Sequence, residues 1–178
     1  RTLREPPEFE LVGGQDENMR LRVWHPGHYE LKTASGGIRS ANVAAGARHL
    51  ELSGPWQVRF QPKRGTPYQV KFDQLVSWSE HNDPGVKYFS GHATYRKAFA
   101  WKPERAQPST SRPQLFLDLG RVEVIAEVKL NGQDLGTLWK PPFRVEVTGA
   151  LQPGDNVLEI KVVNLWVNRM IGDERLPE

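Results

Sequence analysis

Three polar segments of the chain combine aromatic rings with charged and amide side chains. A sugar packs the C–H groups of its face on an aromatic ring, while its hydroxyls exchange hydrogen bonds with polar side chains. If the fold brings the three segments to one end of the molecule, they would form a sugar cleft. We therefore predict carbohydrate-binding residues in the first segment (Trp78, His81, Asp83, Lys87, Tyr88), the second (Trp139, beside Lys140) and the third (Trp166, Arg169, Asp173, Glu174).

Tryptophan also anchors cores and interfaces, so Trp78, Trp139 and Trp166 each have a second interpretation as packing residues. A different tryptophan, Trp56, is assigned to the core because it alternates with buried-type residues along a predicted strand. Asn164 and Asn168 likewise have two interpretations, since a side-chain amide can tie down a neighbouring backbone as readily as it binds a sugar.

Acidic side chains in the same segments raise the question of catalysis. Glycoside hydrolysis uses two carboxylates about 5 to 9.5 Å apart. The candidate pairs are Glu80 with Asp83 and Asp173 with Glu174. Both pairs lie in predicted loops, where acids beside glycine and proline usually form turns. We therefore assign no catalytic residue.

The histidines do not form a recognisable metal motif. His25 and His28 are three positions apart, and His81 and His92 are isolated, with no HExxH pattern and no cysteine. The sequence also lacks a phosphate-binding glycine loop and a nucleophile elbow.

The composition describes a folded chain of 178 residues, enough for one full domain and a smaller attachment. Its 24 Lys and Arg are interspersed with 21 Asp and Glu, rather than gathered in the basic stripe of a nucleic-acid surface. No apolar segment approaches the length of a membrane span. We expect neither a nucleic-acid nor a membrane partner. Because the chain begins at Arg1, we expect an excised or processed fragment, so the missing export signal says nothing about location.

Alternating apolar and polar residues predict an antiparallel all-β sandwich. The clearest pattern is "RVEVIAEVKLNG", in which every second residue from Val122 to Leu130 is apolar. Asn131-Gly132 follows at once, and this dipeptide favours a tight type I′ hairpin. Similar alternation covers residues 50–60, 95–99, 143–147 and 158–162, whereas residues 61–91 read as a long loop with short strands at 68–72 and 88–89.

The first 48 residues are predicted to be an N-terminal arm and a small β-hairpin segment. Residues 1–10 are polar and broken by prolines, and strand-like runs follow at 19–24, 28–33 and 38–43, with the turn sequence "ASGG" between the last two. We interpret residues 1–48 as the tail of a preceding domain or a linker, and residues 49–178 as the jelly-roll domain.

The region "VEVIAEVKLNGQDLGTLWKPPFRVEVTGALQPGDNVLEIKVVN" resembles the sugar-binding domain of glycoside hydrolase family 2, which has a galactose-binding-like jelly-roll fold. "YFSGHATYRKAF" resembles another strand of that domain. The matching residues are Leu130, Asn131, Gly132, Gly136, Trp139, Pro142, Phe143, Leu151, Pro153, Gly154, Asn156, Leu158, Ile160, Val162 and Asn164.

Three further motifs, "LSGPWQVRF", "SWSEHNDPGVKYFSG" and "NLWVNRMIGDERLP", resemble the C-terminal region of glycoside hydrolase family 106, the α-L-rhamnosidase-like proteins. "VWHPGHYELKTASGG" is similar to the linker hairpin before that region. The resemblance implies an exported bacterial enzyme, secreted or periplasmic, whose catalytic carboxylates lie in a barrel domain; the chain contains no such barrel. The resemblance also implies a structural calcium ion, for which the sequence identifies no ligands.

We therefore expect a non-catalytic carbohydrate-binding or accessory module. It would act with the catalytic domain of a parent glycoside hydrolase on a plant or microbial polysaccharide. Two alternatives remain open: a purely structural interdomain module, and an independent glycosidase that uses Glu80, Asp83 or Glu174.

Overall fold

Strands dominate the regular structure, and all of their pairings are antiparallel. The computed structural model describes residues 9–13, 20–44, 49–61, 68–103 and 114–175. The strands are β1 (Phe9–Val12), β2 (Arg20–Val23), β3 (Gly27–Lys32), β4 (Ile38–Val43), β5 (Trp56–Phe60), β6 (Gln69–Phe72), β7 (His92–Trp101), β8 (Phe116–Asp118), β9 (Ile125–Leu130), β10 (Gln133–Leu138), β11 (Arg144–Glu146) and β12 (Gly154–Val163); the helices are α1 (Pro84–Lys87) and α2 (Val167–Glu174). The chain divides into two compact units, residues 1–51 and 52–178.

The first unit consists of two small ladders, β1 with β2 and β3 with β4. The predicted hairpin around "ASGG" is confirmed: β3 and β4 pair from Gly27 opposite Val43 to Lys32 opposite Ile38. Gly36 supplies the positive φ of 85° that the turn requires. Strand β1 was not expected, because its first two residues belong to the segment interpreted as a polar arm and because four residues are too few for a clear alternation.

The second unit is built on a six-stranded sheet in the order β10–β9–β12–β7–β5–β6. Its centre is the pairing of β12 with β7, which runs over ten residues from Gly154 opposite Trp101 to Val163 opposite His92. The predicted alternation is confirmed along the strands, whose buried apolar residues all point to one face. These residues are Trp56, Val58, Phe60, Phe72, Ala93, Tyr95, Ala126, Val128, Leu130, Leu158 and Ile160.

A two-stranded ladder of β8 and β11 supplies apolar side chains to the same core. Leu117 and Leu119 from the β8 segment, and Val145 and Val147 from the β11 segment, pack against the buried cluster. The opposite face of the large sheet carries charged pairs, such as Lys161 with Glu127 at 3.1 Å. The predicted antiparallel all-β sandwich is therefore confirmed.

The predicted Asn-Gly hairpin joins β9 to β10, and both residues have positive φ, 53° for Asn131 and 79° for Gly132. The Asn131 side chain donates to the Asn156 oxygen at 2.8 Å. Asn156 is 1% exposed, and its amide donates to the backbone oxygens of Gln152 and Gly154. Both ends of this buried amide are thus hydrogen-bonded, which removes the cost of an unpaired polar group.

Three local predictions were wrong. Leu50 lies outside any strand and is 66% exposed. Residues 88–89, expected as a strand, follow α1, with Tyr88 at its C-cap. Residues 165–174, expected as a loop, contain helix α2. Helices of four and eight residues are too short to produce a readable 3.6-residue period. Within the described ranges, no helix has the length and apolar character needed to cross a bilayer.

Tyr95 lies at the centre of the core, where its hydroxyl accepts a hydrogen bond from the indole N–H of Trp78. Burial raises the pKa of Tyr95 to about 12, and the bond from Trp78 opposes this shift only in part. The phenol therefore stays protonated in the folded chain at a pH where an exposed tyrosine would ionise.

We expect stability to fall as the pH rises from 10 to about 12, the ordinary and folded pKa values of Tyr95. In that interval the unfolded chain releases the Tyr95 proton, whereas the folded chain retains it. The stabilisation that comes from the buried, protonated phenol is therefore complete below pH 10 and is lost between pH 10 and about pH 12. The slope should approach about 1.4 kcal/mol per pH unit, measured by urea unfolding. Tyr95→Phe should lower stability at neutral pH, because Trp78 loses its acceptor, and should flatten the alkaline slope. Equal slopes in the two proteins would contradict this assignment.

Candidate functional site

The long pairing of β7 with β12 places the segment before β7 beside the segment after β12. Asn164 joins the two segments: its side-chain oxygen accepts from the Gly91 N–H at 2.9 Å, and its amide donates to the Phe89 carbonyl at 2.8 Å. Of the two interpretations left open for Asn164, the structure supports the tie between backbones. The aromatic segments around residues 78–88 and 166–174 are thereby held together.

Ser90 makes a second connection at the same place. It is 6% exposed, and its hydroxyl donates to the Leu165 carbonyl at 3.1 Å. The backbone N–H of Arg169, in the first turn of α2, donates to the same hydroxyl at 3.1 Å. The first N–H groups of a helix have no partner within it. Trp166, at the N-cap, provides no side-chain bond. The Arg169 N–H also donates to the Trp166 carbonyl at 3.0 Å, so Ser90 gives this group a second acceptor from another part of the chain.

The wall opposite α2 is formed by a 3₁₀ turn (Trp78–Glu80) and α1. Asp83 caps α1 through a bond from the Gly85 N–H to its carboxylate at 2.7 Å. The Nδ1 atom of His81 accepts from the Asp83 N–H at 3.0 Å, and its ring stacks on Phe72 with centroids 5.0 Å apart. Both residues, predicted as sugar ligands, have defined structural roles at the base of this wall.

Between the two walls lies a groove of about 210 Å³, here called the α1–α2 groove. Its lining residues are Ser79, Lys87, Tyr88, Asn168, Ile171 and Arg175. Helix α2 approaches Tyr88 closely at Gly172, where a Cβ atom would lie 2.6 Å from the Cβ of Tyr88. Arg175 donates to the Tyr88 hydroxyl at 3.1 Å. Tyr88 is therefore both a wall of the groove and the surface on which α2 rests.

The lining can recognise hydroxyl groups. Lys87 and Arg175 carry hydrogen-bond donors, and the Asn168 amide is both donor and acceptor. Ile171 offers apolar contact beside them. Among the described residues, no carboxylate lines the groove, so this part of the chain does not supply there the acid pair that glycoside hydrolysis requires. The arrangement suits binding of one sugar ring rather than cleavage of a bond.

The three tryptophans of the predicted site have different environments. Trp78 is 6% exposed and makes edge contacts with Phe60 and Phe89, with centroids 5.4 and 5.5 Å away. Its ring has no exposed face to offer a sugar, and it belongs to the core. Trp139 and Trp166 are 65% and 80% exposed.

Trp139 and Trp166 lie at the same end of the large sheet. Trp139 follows β10, where Leu138 pairs with Ala126, and Trp166 follows β12, where Val163 pairs with Ile125. Strands β10 and β12 flank β9, so these two strand ends are about 10 Å apart. Lys140 places its ammonium 5.2 Å from the centre of the Trp139 ring. Trp78 contributes to the core below this end.

The remaining predicted residues lie on α2. Arg169 and Asp173 form an ion pair at 2.8 Å, one helical turn apart, and Glu174 is exposed. The sequence analysis did not include Ile171, Arg175 or Ser79 in the site and left Asn168 ambiguous. Residues 168, 171 and 175 share one face of a helix. If the sequence analysis had predicted α2 as a helix, it would have placed these three residues together.

The described residues contain no group of three or more His, Asp or Glu side chains that could hold a metal ion. Calcium takes six to eight oxygen ligands, commonly with several carboxylates. The described side chains do not supply such a set, so we assign no calcium site and no step of the proposed function depends on one.

Comparison with known proteins places the chain in a class and then in a family. Its fold is that of the galactose-binding-like domains found in glycoside hydrolases. Residues 73–176 match the family model for the glycosyl hydrolase 2 galactose-binding domain-like family, and the chain belongs to that family. The predicted resemblance to the sugar-binding domain of glycoside hydrolase family 2 is thereby confirmed.

Two longer proteins are similar to this chain, one over nearly its whole length and the other over most of it. It is 44% identical over 174 residues to a protein from Formosa agariphila named putative beta-glucuronidase, covering 98% of this chain and 14% of that protein. It is 39% identical to the rhamnosidase from Novosphingobium sp. PP1Y, with a TM-score of 0.64, covering 79% of this chain and 14% of that one. The chain thus spans about 14% of the length of each relative.

Gly172→Ala should destabilise the second unit, because the new methyl group would overlap Tyr88 at a distance of 2.6 Å. Overpacking of this kind costs about 1–3 kcal/mol. The matched control is Met170→Ala on the same helix, where the side chain is 67% exposed and a change of less than about 0.5 kcal/mol is expected. Urea unfolding of both variants measures the difference. A neutral Gly172→Ala would show that α2 does not rest on Tyr88.

Proposed function

We propose that this chain is a non-catalytic accessory module of a polysaccharide-degrading glycoside hydrolase of the α-L-rhamnosidase type, family 106. The similarity to a rhamnosidase, at 39% identity with a TM-score of 0.64, is the observation that carries this proposal. The three motifs that resemble that enzyme group lie at β5 and on the two sides of the α1–α2 groove. The catalytic domain of the parent enzyme is, in this proposal, the module's permanent partner.

Within that enzyme, the α1–α2 groove contributes sugar contacts. Its volume of about 210 Å³ is below the roughly 300 Å³ at which typical ligand pockets begin, so it holds one ring rather than an extended chain. Lys87, Asn168 and Arg175 provide the hydrogen bonds, and Ile171 the apolar contact. Trp166, at the N-cap of α2, is a further exposed ring at the same end of the sheet.

The positions of the acids favour this role over an independent glycosidase. Among the described residues, Asp83 is committed to capping α1 and Asp173 to its pair with Arg169. Glu80 and Glu174 are exposed, and neither lines the groove. A pair of carboxylates facing one cavity is what cleavage needs. We assign the cleavage chemistry to the parent's catalytic domain.

We further propose that the parent enzyme is secreted or periplasmic. A plant or microbial polysaccharide is too large to reach an enzyme in the cytoplasm intact. A rhamnose-containing polymer of this kind is the substrate class that the similarity to a rhamnosidase favours.

The proposal predicts that the 178-residue chain binds a sugar through the α1–α2 groove. Isothermal titration with rhamnose-containing oligosaccharides and plant-wall glycans should detect a complex. Lys87→Ala and Asn168→Ala should each weaken it by about threefold to thirtyfold, since each removes one hydrogen-bonding side chain. Lys71→Ala is the matched control, because this lysine is exposed, paired with Asp73 and outside the groove. No binding across the panel, or equal losses in all three variants, would reject the groove as a sugar site.

A second role, packing against the catalytic domain, is favoured by one separate observation. Trp166, Val167 and Met170 are 80%, 55% and 67% exposed and lie on or next to one face of α2. Contiguous exposed apolar side chains of this kind mark protein interfaces. This apolar face of α2 would be covered in the parent enzyme, and the groove beside it would then lie near the junction.

Val167→Glu and Met170→Glu test the packing role. In the parent enzyme each should lower the thermal midpoint by several degrees, because a charge would be buried in the junction. In the 178-residue chain, where both side chains are exposed, the midpoint should stay nearly unchanged. Lys129→Glu is the control on an exposed strand position. Equal effects in the long and short proteins would exclude this face as a junction.

A further inference from the structure

The outer face of the large sheet, away from the core, contains a concavity of about 290 Å³, here called the sheet-face cradle. Strands β5, β7 and β12 supply Arg59, Thr94, Arg96 and Glu159, and Gln61 and Tyr68 lie at its rim. Among the described residues, it shares no lining residue with the α1–α2 groove. None of the residues of the predicted sugar site contributes to it.

The position of the two arginines is set by strand register. Arg59 pairs with Thr94, Gln57 pairs with Arg96, and all four side chains point away from the core. Diagonal neighbours on one face of an antiparallel pair are about 7–8 Å apart. The two guanidinium groups can therefore reach one ligand, and both stand on strands rather than on loops, which keeps their separation defined.

Positive charge in the cradle is incompletely neutralised. Among the described residues, the Arg59 side chain has no hydrogen-bond or ion-pair partner. Arg96 has one carboxylate nearby, Glu159, at a long 3.7 Å. Elsewhere on this face, Lys161 lies 3.1 Å from Glu127. One guanidinium is thus left over in a concave site, and a guanidinium fork matches the two oxygens of a carboxylate or sulfate.

We propose that the sheet-face cradle binds an anionic group of a saccharide, a carboxylate or a sulfate ester, through Arg59 and Arg96. Tyr68 is 58% exposed and provides a ring on which the sugar can pack. Gln61 and Thr94 provide hydrogen bonds to neighbouring hydroxyls. That the ligand is a saccharide rests on the proposed function, whereas its charge is inferred from the arginines alone.

The test uses the full 178-residue chain and polymers that share one backbone. Affinity electrophoresis compares dextran, carboxymethyl dextran and dextran sulfate at fixed ionic strength, so that only the substituent changes. Carboxymethyl dextran and dextran sulfate should retard the chain, whereas dextran should not. The polymer that gives the stronger retardation identifies the preferred anion, a carboxylate or a sulfate. Arg59→Gln and Arg96→Gln should each weaken retardation about tenfold or more, because a hydrogen bond between charged groups is lost. Arg59→Lys should recover little of it, since lysine lacks the fork.

Lys129→Gln is the matched control. This lysine is exposed on the same face of the sheet, has no partner among the described residues and lies outside the cradle. If Arg59→Gln and Lys129→Gln weakened the retardation equally, the effect would come from net charge alone, and the proposal would be overturned. So would the absence of retardation by both charged polymers. Polyglutamate bound as tightly through the same arginines would overturn the saccharide assignment. Loss of glycan binding in Lys87→Ala, without any response to charged dextrans, would refute the cradle and leave the α1–α2 groove intact.

Discussion

The ladder between β7 and β12 is the constraint on which the rest of the second unit depends. Its ten paired residues fix the register from Trp101 to His92, and so decide which loops meet at each end. At one end, Val163 lies opposite His92, and the backbones on either side are joined through Asn164 and Ser90. Helix α2 has a surface to rest on because this register brings Tyr88 beneath it.

The same ladder separates two chemical environments. On one face, alternate residues form the core around Tyr95, whose buried hydroxyl is bonded to Trp78. On the other face, the intervening residues are charged and contain the cradle with Arg59 and Arg96. A β-strand places successive side chains on opposite faces. One pattern therefore produces both stability and a polar surface on which a ligand can lie.

In this galactose-binding-like domain, two acids beside the α1–α2 groove have structural roles. Asp83 and Asp173, which the sequence offers as acids near a sugar site, are held by a helix cap and an ion pair. The groove beside them is lined by donors and by Ile171 instead. The described lining offers donors that can recognise hydroxyls, but not the carboxylate pair on which glycoside hydrolysis depends. Binding and cleavage are thus separable on physical grounds.

Much of the fold could be predicted from the sequence, and much less of the site. Alternation located β5, β7, β9 and β12, and the Asn131-Gly132 dipeptide located a hairpin, because both signals depend on neighbouring residues. Helix α2 was missed because eight residues carry too little periodicity, and with it Arg175.

What the sequence determined by itself is which side chains along each strand are buried. The tertiary structure alone decided that Gly91 meets Asn164, 73 positions away, and that Arg59 stands beside Arg96. The reason is physical: burial follows a local period of two, whereas a binding site depends on the register of strands that are distant in the chain.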